Sequence, residues 1–147
     1  KKTEKYIFYV KDCVKFFYTT FKKSYIWSPS AKKKPPMHKD LDNINNLYLK
    51  LYNMYQNDLG HYFTTLYHLV KFVDSSNILD KKRYTNIIRA QLSSHELLML
   101  FYNCLSDLGN QKFKPLVLKY NLLKNTPFSD LANIEHKQLF DKGAYGE

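Results

Sequence analysis

An arginine and a histidine six residues apart, in Arg89-Ala90-Gln91-Leu92-Ser93-Ser94-His95, are the pair in this sequence best suited to chemistry. Cleaving RNA without a metal needs a group that moves the proton of a 2′-hydroxyl and a fixed cation beside the phosphate, and an imidazole and a guanidinium supply them. In one unbroken helix, side chains six apart point about 120° away from each other. Ser93 followed by Glu96, however, forms a capping box, which starts a new helix and puts a break between the two groups. That break lets them converge. His95 then lies in the first turn of the new helix, where the dipole disfavours the imidazolium, as suits a base, and where free amides attract phosphate. Glu96 completes the candidate catalytic set. In the plainer alternative Arg89 pairs with a neighbouring carboxylate, while His95 and Glu96 merely finish a helix end.

Other chemistries find less support. His61 and His68 share one helical face among Tyr and Leu neighbours, but no third ligand stands at a metal spacing, so they read as core or boundary residues and no metal is expected. Cys13 and Cys104 have no CxxC or Cys/His partner and read as buried free thiols of a reducing compartment. There is no Gly-rich phosphate loop, GxSxG elbow, HExxH or paired-Asp cluster, and no small-molecule cofactor is expected. The 13 Tyr and 10 Phe could stack bases, but helical spacing sends most of them to a core.

The elements that must position these residues are helical. Tyr6, Ile7, Val10, Val14, Phe17 and Phe21 share a face of a helix over 4–23, with Lys11, Lys15 and Lys22 on another. The stretch SPSAKKKPP at 28–36 blocks its continuation and favours an extended, solvated linker. Helical spacing then persists from Lys39 to Val73 through Leu41, Ile44, Leu47, Tyr48 and Leu51, and again through Leu59, Phe63, Leu66, Leu69 and Val70. This predicts either two helices meeting near Asn57 to Gly60 or, as the preferred reading, one long helix that tolerates Gly60 at a close contact. Further helices are expected over 81–92, from Ser93 to a stop at a left-handed Gly109, and over 114–123, ended by Asn125 and Pro127. A short one follows Ser129. The segment after Ser93 is apolar nearly all round and belongs at the centre.

Composition bounds the rest. A chain of 147 residues suits one packed domain, and 4 Gly with 5 Pro are too few turn residues for an all-β fold. No initiator Met and no run of 18 apolar residues appears, so neither a signal peptide nor a membrane span is expected. The net charge of +10 is concentrated at the start, where residues 1–36 carry ten Lys against Glu4 and Asp12. Lys11, Lys15, Lys22, Lys23, Lys32, Lys33 and Lys34 could therefore meet nucleic acid or an anionic membrane surface. A Lys- and Asn-rich composition of the kind an AT-rich genome produces would look the same.

Three stretches carry a family resemblance: LGHYFTTLYHLVKFVD at 59–74, YTNIIRAQLSSHELLMLFYNCLS at 84–106 and KFKPLVLKYNLLKN at 112–125. Together they resemble the phage abortive infection proteins of the AbiC type. That resemblance implies antiviral defence, in which an infected bacterium stops growing or dies before phage matures, but it carries over no reaction. It also implies a cytoplasmic protein whose relatives often bear a membrane-anchoring segment upstream. Separately, Arg89 to His95 resembles the R-x4-6-H motif of HEPN ribonucleases, helical proteins in which the two residues usually meet across a homodimer; Ala90 stands where that motif commonly has a polar residue.

The sequence thus predicts an all-α bundle of about five or six helices: a basic amphipathic helix at 1–27, a Pro/Lys linker at 28–36 and a helical core at 37–147. The leading function is an abortive-infection effector or sensor acting through protein association, with a protein partner or a second copy. A HEPN-like ribonuclease acting on RNA, and a basic nucleic-acid or membrane-surface module, are the alternatives.

Overall fold

A computed structural model describes residues 10–146, which form seven α-helices and three short 3₁₀ segments and contain no strand. The helices are α1 (Val10–Ile26), α2 (Pro29–Lys32), α3 (Met37–Met54), α4 (Gln56–Ser75), α5 (Lys81–Gln91), α6 (Ser94–Leu105) and α7 (Phe113–Lys119). The 3₁₀ segments, Phe128–Asp130, Ile134–Leu139 and Lys142–Tyr145, make up a C-terminal strap.

The capping box at Ser93 is present. Ser93 Oγ accepts the Glu96 amide at 3.4 Å, and Glu96 Oε2 accepts the Ser93 amide at 2.7 Å, so two amides that the helix start leaves open are satisfied reciprocally. Every residue of α6 from Glu96 to Leu105 is buried, as its all-round apolarity predicts. Helices α1 and α3 pack on it, and α7 closes another side. Each Leu, Phe or Met buried there stabilises the fold by roughly 1.5–3 kcal/mol relative to exposure.

The basic first helix is part of this core. Val14, Phe17, Tyr18, Phe21 and Tyr25 are buried against α6 and α3; the part of the predicted helix before Val10 lies outside the described residues. The 28–36 stretch departs from the extended linker expected of it. Pro29 fits the first turn of a helix, and the buried Ser28 hydroxyl accepts the Ala31 amide and the Asn43 side chain, each at 3.2 Å. The result is the one-turn α2, and only 34–36 run without regular structure.

The stretch 39–73 forms two helices rather than the preferred single one, and they meet at Tyr55, ahead of the 57–60 break offered as the alternative. The chain leaves helical geometry at Tyr55 (φ −127°, ψ 32°), whose amide bonds back to Leu51 and Tyr52 while its carbonyl receives the amides of Asp58 and Leu59. The buried positions Asp40, Ile44, Tyr48, Leu51, Leu59, Phe63, Leu66, Val70 and Val73 stay in phase across the bend, so periodicity cannot register it. Gly60 lies inside α4, where a Cβ would come within 2.7 Å of the Tyr52 hydroxyl across the bend.

Two other endings differ from expectation. Gly109 does not take a left-handed conformation; it is required because a Cβ there would sit 2.5 Å from both the carbonyl and the side-chain oxygen of Asn103. Helix α7 ends at Lys119, earlier than predicted, because Asn121 adopts the left-handed conformation (φ 51°). The Leu122 amide then bonds to the Val117 carbonyl and the Asn121 amide to that of Leu118, a Schellman closure.

Candidate functional site

Arg89 and His95 take different partners within one chain. The half-buried Arg89 guanidinium donates to the Asn121 carbonyl at 3.2 Å, beside the Schellman closure of α7. The His95 ring lies against Tyr18 of α1, with centroids 6.0 Å apart. Glu96 turns elsewhere again. Its carboxylate, only 5% exposed, accepts the Ser93 amide and, at 3.0 Å, the Tyr62 hydroxyl of α4. Burial, and then the Glu96 charge, push the Tyr62 phenol up, so it remains a donor to that carboxylate.

Glu96 instead belongs to an open groove of about 570 Å³ lined by α4 and α5, with Cys13 and Val14 of α1 also in its lining. One wall is a face of α4 that runs from Asn57 and Asp58 through His61, Tyr62 and Thr65 to Leu66 and Leu69. At 1.5 Å per residue that face is about 18 Å long. The other wall is Ile87, Ile88, Gln91 and Leu92 of α5 and its end. Leu69 and Ile87, which periodicity assigns to the core, are 52% and 55% exposed, and Phe72 continues the apolar surface one turn further along α4. Among the described residues Asp58 and Glu96 line the groove and no Lys or Arg does, in a chain of net charge +10. His61, expected in the core or at its boundary, is exposed in the groove wall; His68 is likewise exposed, its ring edge-on to Tyr67. Cys13, expected buried, is half-buried here, while Cys104 is fully buried and its thiol is pushed up by that burial.

The predicted lysines divide. The Lys22 amine donates to the Asp130 carbonyl at 2.7 Å, as does the Tyr18 hydroxyl, so it is engaged in holding the strap. Lys15, Lys23, Lys32, Lys33 and Lys34 are exposed, with Lys32 5.4 Å over the ring of Trp27. The Lys11 side chain lies outside the described residues. No cluster of three or more His, Cys, Asp or Glu suited to a metal occurs among the described residues. None of the described helices is long and apolar enough to cross a membrane.

A group that the sequence did not single out lies on the far side of α6. His136 of the strap, fully buried, has Nε2 2.9 Å from Asp40 Oδ2 and Nδ1 2.8 Å from the Tyr102 hydroxyl. The Tyr102 oxygen accepts the Ala132 amide at 2.9 Å, which leaves its proton for Nδ1; Nε2 then carries the ring proton and gives it to Asp40. The Tyr25 hydroxyl donates to the same carboxylate at 2.9 and 3.0 Å. His136 is thus a neutral imidazole, held below its ordinary pKa by burial, with Asp40 pulling the other way. With these groups so fully covered, the arrangement ties α1, α3, α6 and the strap together and offers no reacting surface.

A family model described as "Putative phage abortive infection protein" matches residues 54–131, which run from the last residue of α3 through α7 into the strap and include nearly all of the groove. No curated protein and no solved structure matches the chain. More than half of the chain is covered by that match, and the chain belongs to the phage abortive infection family of the AbiC type.

Proposed function

We propose that this chain serves phage defence by protein association, holding in the α4–α5 groove an amphipathic helix of a partner protein. The groove itself carries the reading: it runs along about 18 Å of α4, it leaves Leu69 and Ile87 half open, and its walls from Asn57 to Glu96 fall within the family-matched stretch. About 18 Å of α4 accommodates roughly three turns of a partner helix with apolar side chains at every third or fourth position. The two carboxylates give that helix a chemistry. A Lys or Arg on it would meet Asp58 and the buried Glu96, fixing its direction while its apolar face covers Leu69 and Ile87.

Leu69→Asp and Ile87→Asp, expressed in cells challenged with phage, test this. Each variant removes an apolar anchor and adds a repelled, desolvated charge, which should weaken association by about thirtyfold or more, while circular dichroism and thermal stability stay as in the parent. Full protection by both variants would reject the groove. Protection that survives both and disappears in His95→Ala would replace association with RNA cleavage by Arg89 and His95; purified protein would then cut total RNA in the presence of EDTA.

A further inference from the structure

We infer that the corner where α1 meets α2 docks on an anionic lipid bilayer, with Trp27 and Ile26 entering the interface and Lys23, Lys32, Lys33 and Lys34 facing the headgroups. The inference is independent of the groove, whose walls share no residue with this corner.

Three observations carry it. First, Trp27 is the only tryptophan of the chain and is 74% exposed, beside Ile26 at 48%, whereas Val14, Phe17, Tyr18, Phe21 and Tyr25 of the preceding helix are buried and only Phe16, farther back along it, is also open. A tryptophan left open at a helix end, next to an aliphatic side chain, is an apolar body with one polar N–H, which is the combination that settles at the headgroup level. Second, the charge along the adjoining chain has one sign. From Cys13 to Lys39 the sequence holds seven Lys and no Asp or Glu, and the next carboxylate, Asp40, is buried and taken up by Tyr25 and His136. Third, the lysines at the corner are available. Lys23, Lys32, Lys33 and Lys34 are exposed, Lys32 reaches over the Trp27 ring, and Lys22, the one spent on Asp130, is not counted.

The same charge would attract nucleic acid, but the apolar part favours lipid. Ile26 offers surface that acyl chains take up and that stacked bases do not. Both arginines of the chain, the side chains that grip phosphates in a bidentate manner, lie away on α5 as Arg83 and Arg89.

Because Trp27 is the sole tryptophan, its emission reads out the site directly. The purified chain is titrated with phosphatidylcholine vesicles with and without phosphatidylglycerol. On the anionic vesicles the emission should move to shorter wavelength and lose acrylamide quenching, and partitioning should weaken steeply as salt is raised. Each lysine neutralised should cost about fivefold in partitioning, so a Lys32→Gln, Lys33→Gln, Lys34→Gln variant should lose about a hundredfold. Trp27→Ala, followed by sedimentation with the vesicles, should also bind more weakly while keeping its helical signal. An unchanged emission on phosphatidylglycerol vesicles would overturn the inference, as would equal binding to uncharged ones. So would Trp27→Ala sedimenting like the parent, or Trp27 emission quenched by an oligoribonucleotide under conditions where anionic vesicles leave it unshifted.

Discussion

The two sides of α6 are finished differently. Towards α1, α3 and the strap, the polar groups at the centre are accounted for: His136 sits between Asp40 and Tyr102, Tyr25 completes the carboxylate, and the Ala132 amide completes the Tyr102 hydroxyl. Towards α4 and α5, the buried Glu96 has hydrogen bonds but, among the described residues, no cation, and Leu69, Phe72 and Ile87 are exposed. Buried polar groups are retained cheaply only when every partner is supplied, and apolar side chains stay exposed at no benefit to folding. The closed side therefore reads as the source of stability and the open side as the surface left for an encounter.

Substitutions should separate the two sides, and the largest effect belongs to the closed one. Phe101, fully buried with its ring 4.8 Å from that of Phe140, should cost about 3–5 kcal/mol as Phe101→Ala, a large share of a domain's usual margin, measured by urea or thermal unfolding. Next comes Gly109→Ala, expected to cost about 1–3 kcal/mol because the new methyl meets the Asn103 backbone; Gly60→Ala should be near neutral, since the Tyr52 hydroxyl it meets can swing away and alanine favours the helix. Equal losses at the two glycines would contradict the packing described.

Acid should act on the closed side as well. His136 is held below its ordinary value of 6.5, so the unfolded chain binds a proton that the folded one refuses. Its contribution is complete above about 6.5 and is lost as the pH falls from there towards the lowered folded value. Unfolding followed from neutral pH downwards should show this decline, and His136→Gln should flatten it. A separate decline below 3.8 belongs to Asp74, which the hydrogen bonds of Lys119 and Tyr120 hold below that value, and it should persist in the variant. An identical slope just below 6.5 in parent and variant would remove His136 from the account. The smallest effects on stability are expected for the groove variants Leu69→Asp and Ile87→Asp, within about 0.5 kcal/mol, although they are the ones expected to abolish protection.

Local signals were legible and long-range ones were not. The capping box needs only Ser93 and Glu96, and the boundaries of α5 and α6 follow from it and from the spacing of Tyr84, Ile88, Leu92, Leu97 and Leu98. The family was legible through three stretches, all of them within or against 54–131. Gly60 left a break near 57–60 open, but the periodicity did not mark the bend at Tyr55 because the buried stripe keeps its phase across it. The groove was hidden for a related reason: Leu69 and Ile87 fit a helical spacing whether they face a neighbour or water. His136 and Asp40 are 96 residues apart, and nothing near either one announces the other.

Residues 54–131 exclude α1, α2, nearly all of α3 and most of the strap, and with them Phe21, Ile44, Tyr48, Asp40 and His136. The matched stretch is thus not a unit that can stand alone. Excised, it would keep α6 as a hydrocarbon rod with one flank stripped and would clump rather than fold. Whoever transplants this module into another host protein must carry both of its flanks along, since the chain outside the matched stretch supplies the walls that α1 and α3 set around α6.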